Sequence, residues 1–299
     1  MSESTPPDLD GTVSWGALLT ETRQRLEASA ASDNPRQEAK WILEEVTGTS
    51  GAEFADAMQG LATVRGVNHL DALVARRCAG EPIQYVLGHW SFRTLDLMID
   101  GRVLIPRPET EIIAGLAIDE LDRNAPDGGG VVIDLGTGSG AIGLSIAVER
   151  PGTEVVLTDA SPDALAVARA NLGGLGVAGR NVCIEAGSWF AAIPEALRGT
   201  IDVIVSNPPY VPSSDQLAPS VEDWEPETAL RSGPDGLDDL REIVSEAPGW
   251  LRSGGALVLE MGTEQVPVVA ELALAAGFEV ATHKDFAGLD RGVVARWMK

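Results

Sequence analysis

"DLGTGSGAIGLSIA", residues 134–147, decides the fold. The apolar run "VVIDL" (131–135) ends in glycines at 136, 138 and 140, and a helical pattern opens at Ala141. A strand, a glycine-rich turn and a helix, in that order, open a nucleotide-binding α/β unit, because glycine permits positive φ and lets a ligand press against the backbone. Outward from this point the alternation continues. It runs through "EVVLT" (154–158), a helix from Pro162, "NVCIE" (181–185), "IDVIVS" (201–206), a helix from about Leu237, "GALVLE" (255–260), a helix from Glu264, then "FEVATHKD" and "GVVARWM". Strands that alternate with helices imply a mostly parallel sheet covered on both faces, with ligands bound outside the carboxyl ends of the strands. The expected class is α/β with a Rossmann-like sheet. Two segments then fall at the site: the loop after the first of these strands and the residues after the fourth.

The glycine loop alone does not name its ligand, since dinucleotide enzymes use a similar one. Asp134 lies inside the strand, two residues before Gly136, where its carboxylate could hold the loop or a ligand's amino group. Asp159 ends the next strand, 19 residues after Gly140, placed to accept hydrogen bonds from two ribose hydroxyls. Together they favour S-adenosylmethionine, although Asp159 by itself marks a nucleoside of either kind.

The fourth strand ends in "SNPPYVP" (206–212). Two consecutive prolines carry no N–H and cannot continue a sheet ladder, so the strand stops there. The Asn207 side-chain oxygen and a backbone carbonyl in the turn, most naturally that of Pro208, are two acceptors suited to one planar NH2 group. Pro208 and Pro209 stiffen the turn without adding donors, and the Tyr210 ring offers a face to a π system. An amide or aromatic amine held this way would face the methyl group of a sulfonium cofactor. Its nitrogen is a poor nucleophile, so positioning must supply much of the acceleration. The three histidines, His69, His89 and His283, lie outside both segments and are expected to be structural or solvated.

Composition narrows the partners. At 299 residues with 44% hydrophobic content, the chain can bury a sizeable core. A formal charge of −23 repels a phosphate backbone unless a basic patch overrides it, and no such patch is present: lysine occurs only at Lys40, Lys284 and Lys299. Direct nucleic-acid binding is not expected. No run approaches the roughly 18 apolar residues of a membrane span, and the polar, acidic start "MSESTPPDLDG" is unlike a secretion signal. A cytoplasmic, monomeric protein with a frayed N-terminus is expected. Cys78 and Cys183 lack metal-ligand spacing and are expected to be buried free thiols.

Residues 1–80 read as a small helical domain. "WGALLTETRQRLEAS" places Leu18, Leu19, Thr22 and Leu26 on one face, "PRQEAKWILEEVTG" opens with proline and closes with glycine, and "NHLDALVARRCAG" supplies a third helix. This domain is expected to recognise a partner. Residues 81–106 alternate apolar and polar side chains and read as a β-hairpin connector, and 107–299 form the α/β domain.

The motifs "EPIQYVLG" (81–88), "LIPRPETE" (104–111), "DLGTGSGAIGLSIA", "SNPPYVP", "EPETAL" (225–230) and "GPDGLD" (233–238) together cover nearly the whole chain. In them the sequence resembles the class I S-adenosylmethionine-dependent N5-glutamine methyltransferases that modify peptide chain release factors, the HemK/PrmC family. The resemblance implies a seven-stranded class I methyltransferase domain. It also implies transfer of a methyl group to the glutamine of the Gly-Gly-Gln tripeptide with which class 1 release factors trigger peptidyl-tRNA hydrolysis. By position, Gly136, Thr137, Gly138, Ser139 and Gly140 would wrap the methionine part of the cofactor, Asp159 its ribose, and Trp189 its adenine. Asn207, Pro208, Pro209 and Tyr210 would grip the glutamine amide, with Asn207 also beside the cofactor. Ser188 stands where relatives often carry an acidic residue. The resemblance gives Arg107 and Glu111 either a salt-bridged scaffold or a direct contact. Two other glutamine or adenine acceptors share NPPY: a large-subunit ribosomal protein, whose enzymes resemble "PRSP" in place of "PRPETE", and DNA adenine, for which an acidic chain is poorly equipped.

Overall fold

The computed structural model describes residues 12–299, which form two compact units dividing between Gly88 and His89. The expected fraying of the first eleven residues lies outside the described residues. Among the described residues, no helix is long and apolar enough to cross a membrane.

The first unit contains α1 (Trp15–Ser29), α2 (Pro35–Thr47), α3 (Gly51–Ala57), α4 (Val64–Cys78) and α5 (Ile83–Leu87). Leu18, Thr22 and Leu26 of α1 are buried, with Leu19 half-buried beside them. The Ser14 hydroxyl caps α1 by accepting the Ala17 N–H, and Asn34 caps α2 ahead of Pro35, so each helix start follows from side chains that satisfy its free N–H groups. Residues 83–87 are helical, where the alternation had suggested a strand. Ile83 and Val86, three apart, both enter the helical core, and Arg76 donates to the carbonyls of Tyr85 and Val86 at 2.8 and 3.2 Å. These contacts satisfy the short helix's carboxyl end, and tertiary packing overrides local alternation.

The second unit begins with the hairpin β1 (His89–Phe92) and β2 (Leu95–Met98), followed by α6 (Pro108–Asn124), β3 (Val131–Leu135), α7 (Ala141–Glu149), β4 (Glu154–Asp159), α8 (Pro162–Gly174) and β5 (Val182–Ala186). It continues with β6 (Ile201–Ser206), α9 (Pro219–Glu222), α10 (Asp238–Glu246), β7 (Leu251–Glu260), α11 (Val266–Ala276), β8 (Phe278–Lys284) and β9 (Asp290–Trp297). The hairpin packs on α8, where the Asn171 amide bridges both polar groups of Met98 at 2.8 and 3.0 Å.

The seven-stranded sheet has the order β5-β4-β3-β6-β7-β9-β8, parallel from β5 to β7 and antiparallel at β9 and β8. Every residue of β6 is buried, as a central strand covered on both faces requires. Chain order reverses beside β3, with β4 on one side and β6 on the other. That is where an open α/β sheet offers a crevice. Register then fixes the site. Leu135 pairs with both Thr158 and Ser206, and Ser206 pairs with Leu259. One residue further along each strand, Asp159, Gly136, Asn207 and Glu260 stand in one row across the carboxyl edge.

Cys183 departs from the buried thiol expected of it. It is exposed because β5 is the sheet's edge strand and is only partly covered, while Cys78 is half-buried.

Candidate active site

The row opens onto a cavity of about 500 Å³, within the range of small-molecule sites. Gly136, Thr137, Gly138, Ser139, Asp159, Ser188, Trp189, Asn207 and Pro209 all line it, so two segments some 70 residues apart in sequence meet there. Gly140, Pro208 and Tyr210 do not line it. Gly140 precedes α7, and a Cβ there would press on Leu144 at 2.7 Å. Pro208 is buried beneath the turn, and Tyr210 packs against the core, where burial and the nearby Glu260 push its hydroxyl up to about 12. No histidine lines the cavity.

The glycine loop is held from below. Asp134 Oδ2 accepts the Thr137 hydroxyl at 2.6 Å and the Gly143 N–H at 2.9 Å, tying the turn to the first turn of α7. Burial pushes this carboxyl up to about 6, the two hydrogen bonds opposing. Ser139 is fixed through its carbonyl, which accepts the Asn171 amide at 2.8 Å. Gly136 and Gly138 have φ of 67° and 56°, which a side chain would strain, and a Cβ on Gly136 would approach the Trp189 ring at 3.2 Å.

Asp159 Oδ2 accepts the Gly138 N–H at 2.9 Å and Oδ1 accepts the Ser161 N–H at 2.8 Å. A carboxylate offers about four lone-pair positions, so two remain for a pair of adjacent hydroxyls. Trp189 adopts φ +41°, an unfavourable conformation for a bulky residue, and its indole N–H donates to Asp239 Oδ1 at 3.1 Å. Asp239 brings a second acidic group to the cavity wall near the exposed Ser188. The chemistry of this lining fits S-adenosylmethionine: a carboxylate for ribose, a flat indole for a base, and a side-chain-free turn against which a chain can lie.

On the other wall, Asn207 Nδ2 donates to the Thr110 hydroxyl at 3.2 Å, which orients the amide and leaves Oδ1 as its acceptor. Thr110 is buried in the first turn of α6. Arg107, just before α6, pairs with the buried Glu225, whose other oxygen accepts the Ile105 N–H at 3.1 Å. Arg107 is thereby a scaffold residue for the wall that runs from Arg102 to Thr110. Glu111 has a similar part, since its carboxylate accepts the Arg93 N–H at 3.1 Å. Sequence reading missed Glu260, Asp239 and Gln265. A glutamate ending the apolar run "GALVLE" was the signal available for the first of them.

Two family models match the chain: "PrmC N-terminal domain" over residues 17–88 and "Methyltransferase small domain" over 114–222. A release factor glutamine methyltransferase of Rhodospirillum rubrum is 37% identical, covering 94% of this chain and 84% of its own. Its counterpart in Coxiella burnetii is 38% identical over 90% of this chain and 94% of its own. A methyltransferase crystal structure from Pyrococcus furiosus shares the fold at a TM-score of 0.50 and 20% identity, covering 70% of this chain and 92% of that one. With a class I methyltransferase sheet, a crevice at the carboxyl ends of its strands and relatives of this similarity over almost its full length, the chain belongs to the release factor glutamine methyltransferase family.

Proposed function

We propose that this protein transfers a methyl group from S-adenosylmethionine to the side-chain amide nitrogen of the glutamine in the Gly-Gly-Gln motif of class 1 peptide chain release factors. The observation that carries this reading is the adjacency of Gly136 and Asn207 at the carboxyl ends of paired strands, with the Asn207 amide turned by Thr110 so that Oδ1 is presented as an acceptor. When bound, S-adenosylmethionine supplies a methyl group on a positively charged sulfur.

The chain's own residues then act on the amide. Asn207 Oδ1 and a backbone carbonyl of the turn would accept its two N–H groups, holding the nitrogen in one orientation. Positive charge that would develop on this nitrogen as it accepts a methyl group would strengthen both hydrogen bonds. The nitrogen gives up one proton as or after the methyl arrives, so the site needs no strong base at the outset. Gly138 and Ser161 N–H groups hold the Asp159 carboxylate toward the ribose. The helical first unit is assigned to partner recognition, and the acidic surface argues against direct contact with nucleic acid. The enzyme is taken to act as a cytoplasmic monomer.

The test is mass spectrometry of purified release factor after incubation with the protein and S-adenosylmethionine. One added methyl on the Gly-Gly-Gln glutamine is expected. Methylation of a large-subunit ribosomal protein, with release factor unchanged, would keep the chemistry and replace the substrate.

A further inference from the structure

Asp239 lines the cavity and has no part in the proposed methyl transfer. It stands beside Asp238 in the first turn of α10, where the helix dipole favours any carboxylate. Their surroundings separate the two. Asp238 is exposed and pairs with Arg241 at 3.3 Å. Asp239 is half-buried, and its Oδ1 accepts the Trp189 indole N–H at 3.1 Å. That indole needs a tether. Trp189 lies three residues after β5 with φ +41°, a conformation that a bulky residue keeps only where its surroundings hold it. Its ring packs on the glycine turn, since a Cβ on Gly136 would meet ring atoms at 3.2 and 3.4 Å, and it lines the cavity as well. The indole has a single polar group, and Asp239 takes it.

Asp239 is fixed in turn from the opposite wall. Its N–H donates to the Ser232 hydroxyl at 2.9 Å, and the buried Ser232 donates its own N–H at 3.0 Å to the carbonyl of Val211, the residue directly after Tyr210. Three hydrogen bonds thus run from the end of the NPPY turn to the aromatic wall of the crevice. A charged acceptor makes a hydrogen bond roughly twice as strong as a neutral one, which suits a tether that must offset backbone strain. We infer that Asp239 is a positioning residue for the cofactor: it acts through the indole N–H to hold the Trp189 ring against the glycine turn, as the wall on which the nucleoside of S-adenosylmethionine packs. The inference rests on the reading of this cavity as the S-adenosylmethionine site.

Asp239→Leu tests it, because leucine is of similar size and accepts no hydrogen bond. Affinity for S-adenosylmethionine and for S-adenosylhomocysteine, measured by calorimetric titration, is expected to fall about 10-fold, while turnover at saturating cofactor changes much less. Asp239→Asn should keep most of that affinity, since its amide oxygen can still accept the indole N–H. Trp189→Phe has no N–H to give and should also lose affinity, and adding Asp239→Leu to it should cost nothing further. A second readout needs neither ligand nor turnover. In protein labelled with nitrogen-15 at tryptophan, the indole resonance missing from Trp189→Phe belongs to Trp189. It is expected downfield and slow to exchange in wild type and in Asp239→Asn, and upfield and fast to exchange in Asp239→Leu. Wild-type affinity in Asp239→Leu would overturn the inference, as would losses that multiply in the double variant. Equal losses in Asp239→Asn and Asp239→Leu, with the indole resonance of Asp239→Asn unmoved, would overturn it by giving the charge itself a direct part in binding. A wild-type protein that binds neither compound overturns the cofactor reading and the inference together, whereas a binding wild type with an indifferent Asp239→Leu overturns the inference alone.

Discussion

Gln265 donates its side-chain amide to the carbonyl of Tyr210 at 2.8 Å while its oxygen accepts the Gly262 N–H at 3.0 Å, so the residues that follow β7 clamp the turn that follows β6. The same nitrogen also reaches the Gly236 carbonyl at 3.1 Å. A Cβ on Gly236 would stand 2.2 Å from the Tyr210 oxygen, and its φ of +74° already excludes most side chains. Gly236→Ala is therefore expected to destabilise by about 2–4 kcal/mol and to lower turnover by displacing the NPPY turn. Gly173→Ala serves as a control, since its Cβ would meet nothing within 4 Å. Urea unfolding of both variants checks the pair, and equal stabilities would remove the clamp from the account.

Asp134 makes a pH-dependent prediction. Burial raises its carboxyl from 3.8 to about 6 in the folded protein, so between those values the folded state holds the proton more tightly than the unfolded chain. The stability linked to this group is fully present below the unfolded value and is lost as pH rises through the folded one. Asn at this position can still accept the Thr137 and Gly143 hydrogen bonds without a buried charge. Asp134→Asn should thus exceed wild type at pH 8 by on the order of 2 kcal/mol, the gap closing toward pH 4. Thermal unfolding across that range, without ligand, gives the answer. A gap that ignores pH would mean the carboxylate's charge is not what costs stability.

Much of this was legible in the sequence because the signals were local. The turn from Leu135 to Ala141 and the strand stop at Pro208 each depend on residues adjacent in the chain, and both fall where pattern and backbone chemistry place them. Strand order was another matter. Nothing local to "IDVIVS" says that it pairs with Val131–Leu135 rather than with the preceding strand, and that pairing is what sets Asn207 next to Gly136. The second rank of the site was hidden for the same reason. Thr110, Glu260 and Gln265 come from three separate segments and acquire meaning only through their hydrogen bonds to, or register beside, Asn207 and Tyr210. At 83–87, an alternating pattern gave way to a helix because Ile83 and Val86 found a core to enter.

Arg107 bears on stability more than on chemistry. Its partner Glu225 has a side chain only 1% exposed, so removing the guanidinium strands a buried carboxylate. Arg107→Ala should cost about 3 kcal/mol. Adding Glu225→Gln should restore much of that, because a neutral amide oxygen can still accept the Ile105 N–H without needing a cation. Chemical denaturation of the two single variants and the double variant forms the cycle, and simple additivity would argue that the pair is not coupled.

The two ends of the row should fail in different ways. Asp159 is the carboxylate proposed for the ribose, and Asp159→Ala also frees the Gly138 N–H, so it should weaken S-adenosylmethionine binding by about 10-fold or more. Turnover of Asp159→Ala at saturating cofactor should fall much less. Asn207→Ala removes one of the two acceptors proposed for the amide and leaves Asp159 and the glycine loop in place, so cofactor affinity should change little while turnover drops by about 100-fold. Calorimetric titration of the cofactor beside single-turnover methylation separates the cases. Should Asn207→Ala retain wild-type turnover, the acceptor role would pass from the NPPY turn to another part of the cavity wall. Parallel losses of cofactor affinity in both variants would instead mean that Asn207 braces the glycine loop across the β3–β6 pairing.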